Sequence, residues 1–340
     1  MTIPQPIGWT ADHRLRLLDQ TLLPGAERYL ELDRVDQVAE AIRALRVRGA
    51  PLIGIAAAMG LSLAGKGGSG EAGNVLERIR AARDLLRSTR PTAVNLMWAL
   101  DRMWRRVEEA GGAGDLHRIM VEEASAIWRE DAAMCDRIGL AGLDLLGEDA
   151  TVATHCNAGV LATGGIGTAL APMYKAHQAG RTVRVVASET RPLLQGARLT
   201  AWELSRSGIP CTLITDGMAA SRLRLGDIRC VIVGADRIAR NGDVANKIGT
   251  YSLALAAQAH AVPFYVAAPR TTFDAATAEG RDIPIEQRQP DEVRGFEGRR
   301  SSPEGIGIWN PAFDVTPASL VTAYITDAGV LTAAGLARLA

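Results

Sequence analysis

Two short strings hold the side chains best suited to moving a proton and steadying developing charge: Thr154-His155-Cys156-Asn157-Ala158-Gly159 and Gly234-Ala235-Asp236-Arg237. A thiol among backbone N–H groups can stabilise negative charge, and a carboxyl partly desolvated at the end of an apolar strand can hold a proton near neutral pH. Each has a plainer reading. A lone Cys often serves as a small buried hydrophobe, and an Asp before Arg237 serves equally as an N-cap or an ion-pair partner. His155 adjoins Cys156, but alternate strand residues face opposite ways. It therefore reads as an orienting or structural residue, not automatically as the thiol's base.

Anion-binding chemistry is spread more widely. Arg48, with Gly49 and Ala50, and Arg90 offer guanidinium forks that suit a phosphate, with backbone N–H groups beside them; their plainer use is surface pairing. Asn246 and Lys247, in NGDVANKIG, can grip hydroxyls or a phosphate as they enter a predicted helix. Gln195, inside ETRPLLQGARLTAWEL, is by default a helix-cap or surface amide, and Glu189, Arg191 and Arg198 by default pair with one another. The run GVLATGGIGTAL misses the GxGxxG spacing of a dinucleotide site, so its glycines serve a close turn, helix packing or a phosphate nest. No HExxH or close Cys/His spacing suggests a metal.

These residues need elements to hold them. From Leu32 to Ala64 two Ala/Leu-rich segments flank RVRGAPLIG, where Pro51 breaks one helix and starts the next. A Gly-rich turn is expected over 64–73, a helix over VLERIRAARDLLRS stopped by Thr89-Arg90-Pro91, and helical periods from there to 143. Trp98 and Met97 are expected in that helical core, and Ile7 and Trp9 in a short N-terminal hairpin packed on the body. Near residue 150 the character changes. Apolar runs at 151–156, 182–189, 211–215, 230–236 and 263–269 are spaced widely enough for helices between them, which argues for βαβ units and a largely parallel sheet. Cys156, Glu189, Asp216, Asp236 and Pro269 then fall at or past carboxyl ends of strands, where such sheets bind ligands. NPAFDVTP, with two prolines, is expected to form a rigid turn.

Composition sets the outer bounds. The 340 residues are 47% hydrophobic and 22% charged, which excludes wholesale disorder. Lys plus Arg and Asp plus Glu both number 38, and aromatics are 4%, so neither nucleic acid nor a membrane is an expected partner. Cysteines at 135, 156, 211 and 230 form no disulfide framework. With no apolar run behind the first basic residues, a cytoplasmic protein is expected.

Taken in order, RGAPLIG, RPTAVNLMWAL, THCNAGVLATGGIGTAL, ETRPLLQGARLTAWEL, ITDGMA, VGADRIARNGDVANKIGTY and NPAFDVTP resemble the S-methyl-5-thioribose-1-phosphate isomerases. That family is shared with ribose-1,5-bisphosphate isomerases and with regulatory subunits of the eukaryotic translation-initiation guanine-exchange factor. The resemblance implies an α/β fold: a smaller, mainly helical N-terminal domain over 1–145, then a Rossmann-like, mostly parallel catalytic domain over 146–340, assembled as a homodimer. It implies an aldose–ketose isomerisation in methionine salvage with no cofactor and no metal. Asp236 is the implied proton donor and Cys156 the transition-state stabiliser. Arg48, Gly49, Ala50, Arg90, Gln195, Asn246 and Lys247 are the implied substrate-binding residues. A ribose-1,5-bisphosphate isomerase and a non-catalytic regulatory subunit are the alternatives on the same scaffold; retention of every implied site residue weighs against the second.

Overall fold

A computed structural model describes residues 3–66, 72–91, 93–111, 115–296 and 298–338. Half of the Gly-rich turn expected over 64–73, residues 67–71, lies outside them. The chain forms two compact units, one of residues 3–134 with 160–167 and one of residues 135–159 with 168 onward. The break in composition does not reveal that 160–167 belong with the smaller unit. Hydrogen bonds explain it: Gln20 Nε2 donates to the Leu161 carbonyl at 2.8 Å, Trp128 Nε1 donates to the Gly164 carbonyl at 2.8 Å, and the Gly164 N–H donates to Asp131 at 2.6 Å.

The smaller unit opens on an antiparallel sheet of β1 (Ile7–Trp9), β2 (Leu15–Leu18) and β3 (Tyr29–Leu32). Ile7 is buried, and Trp9 Nε1 donates to Ser125 Oγ at 3.0 Å, as the expected hairpin requires. Helices α1 (Val35–Arg43), α2 (Ala50–Leu63), α3 (Ala72–Arg87) and α4 (Val94–Glu109) follow, and α5 (Leu116–Leu146) starts in this unit and runs on past residue 134 as part of the larger one. Every residue of α2 from Leu52 to Leu63 is buried, the signature of a helix apolar on all sides. In α4 the buried stripe is Leu96, Ala99, Leu100, Met103 and Val107. Trp98 falls off that stripe and is 48% exposed, with the Arg102 guanidinium 5.5 Å from its ring centroid. Its expected core position is thus corrected by helical periodicity, while Met97 packs partly buried on the core.

In the larger unit run β4 (Asp149–Thr154), α6 (Ala171–Gln178), β5 (Thr182–Ser188), α7 (Ala201–Arg206), β6 (Cys211–Ile214), α8 (Ala219–Leu223), β7 (Cys230–Val233), β8 (Arg237–Ala239), β9 (Val244–Lys247), α9 (Thr250–Ala259), β10 (Phe264–Ala267) and β11 (Phe273–Asp274). A short helix α10 (Asp291–Arg294) leads into the hairpin β12 (Gly295–Phe296) and β13 (Arg299–Arg300). Then come β14 (Phe313–Thr316), β15 (Ala323–Thr326), β16 (Gly329–Leu331) and α11 (Ala333–Leu336). The main sheet has the order β16-β15-β10-β7-β4-β5-β6 and is parallel except for β16. All four residues of β7 are buried, as a strand covered on both faces must be.

Two expectations change here. Phe313–Thr316 of NPAFDVTP is a strand, not a turn: it pairs antiparallel with β9 in a small sheet of order β11-β8-β9-β14. Asn246 and Lys247 are in β9, and the helix they were expected to enter starts at Thr250. Strands of two to four residues offer too few alternations to be read from periodicity.

Candidate active site

From β4 the chain builds outward through β5 and β6, then returns to the other side of β4 as β7 and β10. The order therefore reverses between β4 and β7, which lie side by side through Val152↔Cys230 and Ala153↔Val231. Such a reversal opens a crevice beyond the carboxyl ends of the two strands. Cys156 lies just past the end of β4 and Asp236 just past the end of β7.

Cys156 is buried and takes φ 64°, in the left-handed region that residues bearing a Cβ seldom adopt. Its N–H donates to Thr190 Oγ1 at 2.8 Å. Thr190, just beyond β5, is itself left-handed at φ 67°; its own N–H and that of Arg191 donate to the two Asp216 carboxylate oxygens at 2.9 and 2.7 Å. Asp216, past β6, also faces His155 Nδ1 at 3.9 Å. His155 Nε2 lies 2.8 Å from the Ile248 carbonyl, which can only accept, so Nε2 carries the hydrogen. Burial holds the His155 pKa below its ordinary value, against the opposing pull of Asp216. The ring is thus a neutral strut between the Cys156 loop and the Ile248 turn, in keeping with the orienting role.

Asp236 is exposed, so burial within its own unit does not supply the partial desolvation expected of it. Its N–H donates to the Ala245 carbonyl at 2.9 Å, which sets it beside β9 and hence beside Asn246 and Lys247. Arg237, the ion-pair partner offered by the plainer reading, pairs instead with Asp274 at 3.2 Å. Asn246 is buried and donates from Nδ2 to Thr250 Oγ1 at 3.0 Å. Lys247 Nζ donates to the Ala312 carbonyl at 2.9 Å and rests 4.6 Å from the Phe313 ring centroid. Asp314, one residue on, accepts from the N–H groups of Gly249 and Tyr251 at 2.7 and 3.1 Å and so caps α9 from a neighbouring strand.

Gln195 precedes a π-helical turn, Gly196–Thr200, a distortion that recurs at functional sites. The turn sits tightly against β5: a Cβ on Gly196 would lie 1.7 Å from the Ser188 carbonyl oxygen and 2.9 Å from Thr190 Oγ1. Gln195 is buried, and its Oε1 has no hydrogen-bond partner within the protein, an orphan acceptor that a donor on a ligand would satisfy. Arg191 does not pair with Glu189; its guanidinium donates to the carbonyls of Pro192, Val293 and Gly295.

In the larger unit, Cys156 and Asp236 therefore follow the carboxyl ends of adjoining strands, Gln195 precedes the turn packed on the end of β5, and Asn246 and Lys247 lie in β9 beside Asp236. Arg48, Gly49, Ala50 and Arg90 belong to the smaller unit. There the Arg48-Gly49-Ala50 loop leads into α2, with Gly49 at φ 94°, and Arg90 lies just before α4. The first turns of these helices abut: a Cβ on Gly54 would lie 2.8 Å from the Asn95 carbonyl oxygen. Paired helix amino ends with an arginine on each approach suit a phosphate.

A 460 Å³ cavity beside the Gln195 loop is lined by Arg191, Leu194, Arg294 and Phe296 among others. The larger one, 560 Å³, lies at the amino ends of β4 and β5, where Asp149 and Arg184 pair, and contains none of the site residues. Among the described residues no group of His, Cys, Asp or Glu stands together that could hold a metal ion, and no helix is long and apolar enough to cross a membrane. Thr190, Thr200, Asp314 and Glu203 carry no local signal of their own, although all lie in ETRPLLQGARLTAWEL or NPAFDVTP.

The sequence profile of the Initiation factor 2 subunit family matches residues 46–333. A methylthioribose-1-phosphate isomerase of Pelotomaculum thermopropionicum is 56% identical over 326 residues, covering 95% of this chain and 90% of that one. The crystal structure of 5-methylthioribose 1-phosphate isomerase from Pyrococcus horikoshii superposes with a TM-score of 0.95 at 41% identity, covering 100% of this chain and 96% of the other. A structure from A. fulgidus, described as the delta subunit of translation initiation factor eIF-2B, gives a TM-score of 0.90 at 42% identity, covering 96% and 95%.

Proposed function

The chain belongs to the Initiation factor 2 subunit family, and from that premise we infer that it is an aldose–ketose isomerase. It converts 5-methylthioribose 1-phosphate into 5-methylthioribulose 1-phosphate, a step of methionine salvage. The observation that carries this is its 56% identity, over nearly its whole length, to a methylthioribose-1-phosphate isomerase. The A. fulgidus relative supports a second reading, a subunit that binds a partner without turnover. Placement of Cys156 and Asp236 at adjoining strand ends favours catalysis.

The phosphate on O1 blocks opening through a free anomeric hydroxyl, so the ring must be opened at its own oxygen. Asp236, as the acid, protonates that oxygen while the C1–O4 bond breaks. The hydrogen on C2 then passes to C1, and as the carbonyl forms the C2 hydroxyl releases a proton to solvent, which balances the one that Asp236 gave to the ring oxygen. Cys156, in its buried loop, stabilises the charge that develops between C1 and C2. Asn246, Lys247, Gln195, Arg48, Gly49, Ala50 and Arg90 are the proposed substrate-binding residues. The active species is a homodimer. Its contact is assigned to α9, where Tyr251 and Leu255 are exposed apolar side chains at one turn's spacing.

Cys156→Ser and Asp236→Asn test the roles. Each is expected to remain folded and lose about 100-fold or more in kcat, the contribution usual for a positioned acid or charge stabiliser. Near-wild-type turnover in both would overturn the assignment. With substrate deuterated at C2, retention of the label at C1 marks hydride passage, and washout to solvent marks a proton route.

A further inference from the structure

We propose that Thr190 and Thr200 are positioning residues that grip the Cys156 peptide from both sides and hold its thiol in place for the isomerisation. The inference rests on the reading that Cys156 takes part in that reaction. Both threonines are completely buried. The Thr190 hydroxyl lies 3.1 Å from the Ser188 carbonyl and 2.8 Å from the Cys156 N–H. A carbonyl can only accept and an N–H can only donate, so the hydroxyl proton goes to Ser188 and a lone pair receives Cys156. Thr200 has the complementary arrangement. Its hydroxyl donates to the Cys156 carbonyl at 2.6 Å and accepts from Asn157 Nδ2 at 3.1 Å. Each hydroxyl has one orientation, and the two meet the Cys156 residue on its N–H and on its C=O.

Both hydroxyls are backed by carboxylates. Asp216 fixes Thr190 through its N–H. Glu203, wholly buried, accepts from Asn157 Nδ2 at 3.1 Å and from the Tyr174 hydroxyl at 3.3 Å, and so holds the amide that orients Thr200. The grip has something to oppose, because Cys156 at φ 64° sits in a conformation that an unrestrained residue with a Cβ leaves for negative φ. Such a flip swings the side chain off its line, and a misplacement of about 1 Å in a reacting group costs roughly 100-fold in rate.

The test uses Thr190→Val and Thr200→Val, which keep shape but remove the hydroxyl, with Thr190→Ser and Thr200→Ser as rescues. Each valine variant is expected to lose about 10- to 100-fold in kcat with KM within about 2-fold, and each serine variant to stay within about 3-fold of the parent. A valine variant that is folded and keeps its kcat overturns the proposal, as does a serine variant that loses as much as its valine counterpart. Amide hydrogen exchange at Cys156 in the unaltered protein reads the same grip should a valine variant not fold. Exchange slowed by about 100-fold or more relative to an unstructured peptide is expected, and unprotected exchange overturns the proposal. Cys156→Ser, assayed in parallel, separates the two levels. If it keeps its turnover, the reading of Cys156 fails; if it loses turnover while both valine variants keep theirs, only the grip fails.

Discussion

Asp314 shows how a single side chain can serve the site without being visible in its motif. Burial pushes its carboxyl up to about 6, against the pull of the Gly249 and Tyr251 N–H groups and the Lys247 ammonium. The ordinary value is 3.8, so between pH 4 and 6 the folded chain holds a proton that the unfolded chain has released. The group's contribution to stability is therefore full below its unfolded value and is lost as pH rises through about 6. Asp314→Asn does not titrate. The unfolding free energy of the parent relative to this variant is expected to fall by up to about 3 kcal/mol between pH 4 and 7, at 1.36 kcal/mol per pKa unit. Urea melts at the two pH values measure it; a difference that stays constant contradicts the account. At this scale the sequence supplied the candidate residues but not their surroundings. Cys156 and Asp236 were legible because each ends an apolar run, whereas Thr190 and Thr200 gain their meaning only when β5 and the π-helical turn bring them to Cys156.

At the scale of elements, the site depends on how closely the π-helical turn approaches β5. Gly196→Ala places a methyl 1.7 Å from the Ser188 carbonyl, a backbone atom that cannot swing aside. A loss of about 1–3 kcal/mol of stability is expected, as in overpacked cores, together with a fall in kcat through Thr190. Gly217→Ala, where a methyl meets nothing within 4 Å, is the control and should stay within about 0.5 kcal/mol. Equal denaturation midpoints for the two variants would contradict this account. The strands of the main sheet could be read from their apolar runs, and with them the positions of Cys156 and Asp236 at strand ends. The reversal of order between β4 and β7 could not, because pairing is a long-range choice that no local pattern records. The small sheet escaped for a different reason: β8, β9, β11 and β14 are too short to show a period, and Pro311 and Pro317 around β14 give the signal of a turn.

For the whole molecule, the balanced charge and low aromatic content point away from nucleic acid and toward a small ligand. The return of 160–167 to the smaller unit was not legible, since it depends on Gln20, Trp128 and Asp131 from distant parts of the chain. The proposed homodimer contact through α9 predicts twice the chain mass in size-exclusion light scattering and a shift toward the monomer for Leu255→Glu. A monomer mass for the parent, or a variant that stays dimeric, would contradict that contact. The central claim, however, is the reaction. Purified protein should be offered 5-methylthioribose 1-phosphate and ribose 1,5-bisphosphate separately, with ketose formation followed by NMR. The account predicts rapid appearance of 5-methylthioribulose 1-phosphate and little product from the bisphosphate. Preference for the bisphosphate, or folded protein that turns over neither sugar, would contradict it.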